Sequence, residues 1–316
     1  MRPCWGSSRF CTESDLDINF PHWQKWLDQA KPIHDDAGDG TTVIMLQDEE
    51  HFVKEGPTDL IAWEYQVYTR MQLHFPTVCE RFLDLRWGSK QGLLLHLVVC
   101  FRDIFKGDAF PRPSRPFTYA STALCASHLI FRMRIMHYND VLHRDIHPGN
   151  VGFLCAHDSG IQPAHITMQQ IEGRQDLFTP TFIDYQWSTM EGYHPRTGTH
   201  MPPMAMWSYL SDRFLREPNE TYSAADDLES LAYTLLDFRL MGELPWAREI
   251  DARSNPFSYD VYSREHRDFV IATRNQHLDG LFNSCTAASP SSEHPVQVEK
   301  ELLDFIQYAR NLERSD

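Results

Sequence analysis

Apolar and polar residues alternate at a spacing of two in the first third of the chain. Thr41-Thr-Val-Ile-Met-Leu46 and His51-Phe-Val-Lys-Glu55 flank the polar turn Gln47-Asp-Glu-Glu50, a pattern that predicts a hairpin. The period then lengthens. Ile61, Glu64, Val67, Tyr68 and Met71 recur three and four apart on one helical face, and Thr58, between Pro57 and Asp59, stands where an N-cap belongs. Further strands are expected at 81–87 and 93–101, before Phe110-Pro-Arg-Pro-Ser-Arg-Pro-Phe117 interrupts the pattern. Helical spacing dominates afterwards. Residues 118–138 carry Leu124, Leu129, Ile130, Met133, Ile135 and Met136 toward an expected buried side, and 223–240 is rich in Leu and Ala. Residues 284–294 read as a loop ahead of a helix at 298–312, and 20–27 as a short helix within the Trp-bearing stretch 1–30. Strands first and helices later predict an α+β chain of two segregated lobes.

Composition narrows the function. The net charge of −15 argues against non-specific binding of nucleic acid or anionic lipid, which needs basic surface. The longest apolar run, 93–100, is too short to span a bilayer, and the first residues lack a signal-like apolar stretch. Seven cysteines without a C-x-x-C pair fit neither a disulfide framework nor a zinc ribbon. An intracellular protein, cytoplasmic or nuclear, is therefore expected.

The chemistry concentrates in Val141-Leu-His-Arg-Asp-Ile-His-Pro-Gly-Asn-Val-Gly-Phe153, where His143-Arg-Asp145 is followed five positions later by Asn150. This resembles the catalytic loop of the protein kinase superfamily, in which a carboxylate orients the attacking hydroxyl and an amide oxygen holds a phosphate-bound metal. A second His266-Arg-Asp268 has Thr273 at the Asn position and reads as chance. Downstream come Phe182-Ile-Asp184, Arg196-Thr-Gly-Thr199, Pro203-Met-Ala-Met206, Asp226-Asp-Leu-Glu-Ser-Leu-Ala-Tyr233 and Leu244-Pro-Trp246. The ordered series is most similar to the fungal-type protein kinase family, with a casein-kinase-like central helix, from about Val53 to Trp246.

The resemblance implies a bilobal kinase-like fold, with a β-rich N-lobe over 31–103, a helical C-lobe over 104–316 and an inserted surface loop at about 155–178. It implies ATP with Mg²⁺ or Mn²⁺ as cofactors and a Ser or Thr hydroxyl of a protein as acceptor. Asp145 then orients the acceptor, Asn150 and Asp184 hold metal, and Lys54, positioned by Glu64, grips the phosphates. Thr199 links the activation segment to Asp145, and Asp227 caps the catalytic-loop backbone. Asp35-Asp-Ala-Gly-Asp-Gly-Thr-Thr-Val43 offers Gly38 and Gly40 as a phosphate cradle, though three aspartates lie beside it.

Four departures stand against that pattern. The phosphate cradle lacks its third glycine, Gln186 replaces the glycine after Asp184-Tyr, and His147 stands where most such enzymes carry lysine. Trp207 occupies the position of a glutamate that usually pairs with a buried arginine. They leave open a pseudokinase scaffold, and the shared Asp and Asn pattern also leaves open a small-molecule phosphotransferase. Zinc on His143 and His147 is not expected, because Pro148-Gly149 breaks the helix such a pair requires. Ser188, Thr189, Tyr193 and Thr197 occupy positions often phosphorylated, and read more simply as exposed hydroxyls.

Overall fold

The computed structural model of the chain describes residues 31–34, 41–45, 51–83, 90–96, 98–101, 117–155, 168–174, 177–196, 206–253, 263–287 and 299–312. The expectations for residues 1–30, Gly38, Gly40, the Pro-rich stretch up to 116, Thr197 and Thr199 lie outside them.

Five strands, β1 (Lys31–His34), β2 (Thr42–Met45), β3 (His51–Pro57), β4 (Cys79–Leu83) and β5 (Lys90–His96), form an antiparallel sheet in the order β1-β2-β3-β5-β4. The expected hairpin is β2 against β3, with Val43 opposite Lys54. Alternation along β3 sends Val53 to one face and Phe52 and Lys54 to the other, beside their cross-strand partners Leu95 and Leu93. Helix α1 (Thr58–Gln72) covers the Lys54 face and buries Ile61, Glu64, Val67, Tyr68 and Met71, the face read from the sequence. The helix starts one residue early. Pro57 is the N-cap and makes no side-chain capping bond, since its ring carries no acceptor; its fixed φ turns the end of β3 straight into the first helical turn. Gly56 just before it is required by close approach, because a Cβ there would sit 2.6 Å from Thr41 Cγ2.

The stretch expected as one strand at 93–101 is two. Residues 90–96 pair with β3 and β4, whereas β6 (Val98–Cys100) leaves that sheet to pair with residues 152–154. Helix α2 (Tyr119–Tyr138) begins at Thr118, whose Oγ1 accepts the Ser121 N–H. Its buried stripe is Cys125, Leu129, Met133 and Met136, while Leu124 and Ile130 are 37% and 36% exposed. Apolar residues lie all round this helix, so spacing alone did not distinguish the covered side.

After α2, β7 (Val141–Leu142) begins the catalytic-loop segment, and β8 (Val151–Cys155) closes it. The region read as an inserted surface loop contains α3 (Met168–Gly173), which packs Ile171 into the core and accepts the Thr118 N–H on Glu172. It is thus partly core, because an apolar residue at 171 has the aromatic wall of Phe153 and Phe178 to pack against. Strand β9 (Phe178–Phe182) pairs with β8, and β10 (Thr189–Met190) with β7.

The rest is helical: α4 (Asp212–Arg216), α5 (Ala224–Arg239), α6 (Ala247–Arg253), α7 (Arg264–Ala287) and α8 (Lys300–Asn311). α5 is buried nearly all round and opens with a capping box between Ser223 and Asp226. Phe238 near its end stacks on Phe101 at 3.9 Å and lies 4.2 Å from Phe117, joining β6 and α2 to the helical layer. α7 continues through Ala287, past the start of the loop expected at 284, with Ser284 bonding back to the Gly280 carbonyl. The second His-Arg-Asp lies in its first turns, where His266 packs edge-on against Trp207. No helix among the described residues is long and apolar enough to cross a membrane.

Candidate active site

Lys54 on β3 is the hub. Its Nζ lies 2.8 Å from Glu64 Oε2 on α1 and 2.7 Å from Asp184 Oδ1 after β9. Burial works against the ammonium, but the charges of Asp184 and Glu64 outweigh it and raise its pKa. Burial likewise lifts the Glu64 carboxyl, to about 7, although Lys54 pulls it the other way. Asp184 remains below the usual carboxylate range because Lys54 overcomes the desolvation it suffers. Three residues from three segments thus share one charge cluster, with Lys54 and Glu64 buried and Asp184 partly exposed.

The catalytic-loop segment is shaped from beneath by Asp227 of α5. Its two oxygens accept the backbone N–H groups of His143 at 2.8 Å and Arg144 at 2.9 Å, and also the Tyr222 hydroxyl and His137 Nε2. Arg144 is held at φ 68° and Asp184 at φ 63°, left-handed conformations that side-chain-bearing residues rarely adopt. Burial draws the Arg144 guanidinium down to about 10, with Tyr222 and Asp227 opposing the shift. His143 is fully buried, donates to the Ile183 carbonyl and packs on Phe182 and Tyr185, as a packing residue does.

Asn150 and Asp145 meet directly: the Asn150 Nδ2 donates at 3.0 Å to both the carbonyl and Oδ2 of Asp145. The Asn150 carbonyl accepts the Ile183 N–H, which sets the loop beside the turn carrying Asp184. With its nitrogen committed to Asp145, Asn150 has its amide oxygen to offer a cation. Asp184, its side chain 32% exposed, has one oxygen on Lys54 and a second to offer. Two hard oxygen donors suit Mg²⁺ or Mn²⁺, which complete their shells with phosphate and water. No group of three or more His, Cys, Asp or Glu that could hold a metal ion occurs among the described residues.

His147 takes a defined tautomer. Its Nδ1 accepts the Gly149 N–H, so the neutral ring carries its proton on Nε2, 3.7 Å from Asp145 Oδ2. A donor, in place of a lysine ammonium, thereby faces the carboxylate.

α1 is bound to the segment after Asp184 at five points. Glu64 Oε1 accepts the Tyr185 N–H at 3.2 Å, the Tyr68 hydroxyl accepts the Asp184 N–H, and Trp63 Nε1 donates to the Ser188 carbonyl. Toward solvent, Arg196 grips Asp59 with two bonds and Arg70 meets Glu191. Ser188 and Thr189 are buried at 0% and 3%, not exposed as the sequence suggested: Trp63 bonds the Ser188 carbonyl, and Thr189 lies in β10 opposite Leu142 of β7; Tyr193 is 56% exposed.

The arginine partner thought lost with Trp207 is present in another form. Arg274 of α7, fully buried, donates to the Trp207 carbonyl at 3.1 Å, to the Leu210 carbonyl at 2.6 Å and to Asp212 Oδ1 at 2.8 Å. The carboxylate has moved five positions along the chain and the backbone of Trp207 supplies the rest. Sequence reading missed Arg274 and Asp212, and placed Tyr68 on the buried helix face without its bond to Asp184, since no local pattern marks a partner so many residues away.

No family model matches the chain. It is 28% identical over 162 residues to casein kinase I homolog 3 of Saccharomyces cerevisiae, a match covering 48% of this chain and 29% of that protein. A probable casein kinase I homolog of Encephalitozoon cuniculi is 27% identical over 250 residues, 75% of this chain and 70% of the relative. The chain thus spans less than a third of the first relative and just over two thirds of the second. Among solved structures, the Cydia pomonella granulovirus kinase PK-1 superposes with a TM-score of 0.52 at 15% identity, over 94% of this chain and 92% of that one. Vaccinia related kinase 3 gives 0.53 at 13% identity, over 91% and 81%. The fold is protein-kinase-like, and the sequence relatives are casein kinase I homologues of that superfamily.

Proposed function

We propose that the chain is an ATP-dependent protein kinase that transfers the γ-phosphoryl group to Ser or Thr hydroxyls of a protein acceptor, and that the R-T-G-T and P-x-M-A motifs ally it with the fungal-type family. The observation that carries this reading is the convergence of Lys54, Glu64 and Asp184 on one ammonium. Such a cluster costs several kcal/mol of desolvation per ion. A fold needing only stability has no reason to build it, whereas a site that grips a triphosphate does.

In this reading Lys54 holds the α- and β-phosphates, Glu64 aims it, and Gly38 and Gly40 offer backbone N–H groups to the nucleotide. Asn150 and Asp184 bind Mg²⁺ or Mn²⁺, which when present neutralises phosphate charge. Asp145, fixed by Asn150, orients the acceptor hydroxyl and takes its proton late, as a loose transition state requires. Thr199 ties the activation segment to Asp145.

The test is incorporation of labelled phosphate from ATP into dephosphorylated casein, with Mg²⁺ or Mn²⁺, by the whole chain and by Asp145→Asn. Incorporation lost by at least about a hundredfold in the variant is expected; equal background from both would end the proposal. One observation favours a second reading, a nucleotide-binding scaffold without turnover: His147 gives Asp145 a neutral donor where a fixed cation is usual. A metal-dependent thermal shift with ATP, in a chain that transfers nothing, would select it.

A further inference from the structure

The last described helix is wired to the catalytic loop. Arg310, in the last turn of α8, donates to Asp212 and, at 2.5 Å, to Asn275 Oδ1. Asp212 opens α4, is 6% exposed, and gives its other oxygen to Arg274. Arg274 in turn holds the carbonyls of Trp207 and Leu210. The return connection also exists, for Arg213 of α4 donates to the Leu312 carbonyl at 3.2 Å just beyond α8. Between the two carbonyls gripped by Arg274 stands Tyr209. Its hydroxyl donates to Asp237 at 3.1 Å, and its ring lies 6.2 Å from the His147 imidazole, which faces Asp145.

Charge balance makes Arg310 more than a passive contact. Asp212 and Glu229 are both buried and adjacent, with the Asp212 N–H donating to Glu229 Oε1 at 3.0 Å. Arg274 and Arg310 each approach both of these carboxylates, at 4.0 and 3.9 Å from Glu229 Oε1. Burial lifts the Glu229 carboxyl to about 7, so the charge that Arg274 and Arg310 answer is chiefly that of Asp212, one oxygen each. Without Arg310, one Asp212 oxygen loses its cationic partner, and Arg274 must hold both the carboxylate and the loop.

We propose that Arg310 is a positioning residue for the protein acceptor: through Asp212 and Arg274 it fixes the 207–211 loop, and so sets where an acceptor meets Asp145. This rests on the kinase reading above. The loop follows the Arg196-Thr-Gly-Thr and Pro203-Met-Ala-Met segments and packs through Tyr209 beside His147, whereas the bonds that hold Lys54, Glu64 and Asp184 come from other elements. The effect therefore falls on the acceptor and spares the nucleotide.

The test uses the whole chain with Arg310→Ala, Arg310→Gln and Arg310→Lys. For Arg310→Ala, KM for dephosphorylated casein rises about tenfold, the equivalent of one charge-assisted hydrogen bond. KM for ATP and acceptor-free ATP hydrolysis stay within about twofold of wild type, and Arg310→Lys recovers most of the loss. Amide hydrogen exchange over 206–212 accelerates in Arg310→Ala while 51–72 keeps its protection. Equal changes in both KM values, or unaltered exchange in the loop, overturns the proposal. Should the alanine variant unfold, the Gln and Lys variants decide by the same readouts. A wild-type chain inert toward casein would count against the kinase reading, and the exchange arm then decides the positioning role by itself.

Discussion

Asp227 receives four hydrogen bonds, two from the backbone of the catalytic loop and two from side chains on either side of it. Burial opposes its charge, yet His137 and the Arg144 N–H keep its carboxyl below the ordinary range. An amide at 227 keeps one good acceptor and turns an N–H toward a backbone N–H, leaving a buried donor unmet. Asp227→Asn is expected to cost on the order of 3 kcal/mol in denaturant unfolding; a loss below about 1 kcal/mol would show that the left-handed turn at Arg144 holds without it. Glu64 supports a second prediction at this scale. Its carboxyl is raised by burial to about 7, and only the anion pairs fully with Lys54. Activity should therefore fall as pH drops through about 7. Stability moves the opposite way, since a group whose folded pKa is raised stabilises most below its unfolded value and loses that contribution as pH rises toward 7. In Glu64→Gln the activity limb near 7 disappears along with much of the rate. An unchanged limb in the pH profile of kcat/KM would assign it elsewhere.

At the scale of elements, α1 is tied to the segment around and after Asp184 at five points, and the ties differ in strength. Trp63 is 7% exposed and its indole N–H bonds the Ser188 carbonyl, so Trp63→Phe orphans a buried acceptor and costs about 1–2 kcal/mol. Arg196 and Asp59 meet in ideal bidentate geometry but with side chains 36% and 47% exposed, and water takes over most of what is lost. Asp59→Asn should cost less than about 0.5 kcal/mol in the same unfolding experiment. Equal losses would mean the exposed clamp holds the helix as firmly as the buried one. The face of α1 was legible because its apolar spacing answers to one sheet. Leu124 and Ile130 of α2 were misplaced because that helix is apolar on every side. Arg274 was invisible for a different reason: its partners Trp207, Leu210 and Asp212 lie more than sixty positions away, and only the fold brings two carbonyls and a carboxylate to it. Motif order identified the residues of the Lys54 cluster, whereas the supports beneath it belong to tertiary packing.

Across the whole molecule, α5 is the axis on which both layers rest, and it carries an unusual load of buried carboxyls. Asp226, Asp227, Glu229 and Asp237 are all under 5% exposed on this one helix. They bind, in turn, Ser211, the catalytic loop, the α4 N-terminus and Tyr209, so the helix arranges its surroundings through oxygen atoms as much as through apolar contact. A period of 3.6 in its sequence could not reveal this, because the polar residues that mark a solvent face elsewhere here point inward. The load has a consequence for pH. Asp237 is raised by burial to about 6, although the Tyr209 hydroxyl and the Leu244 N–H draw it down. Its unfolded value lies near 3.8, so the folded chain holds this proton more tightly than the unfolded chain does. The contribution is complete below about pH 4 and lost as pH rises through 6, a swing on the order of 2–3 kcal/mol. Asp237→Asn removes the titration while keeping an acceptor for one of the two donors. Between pH 5 and 7.5 the wild-type melting temperature should therefore decline more steeply than that of the variant, whatever offset separates the curves at acid pH. Parallel curves would mean that Asp237 is ionised throughout that range, and that the Tyr209 contact beneath His147 is anchored to a full charge.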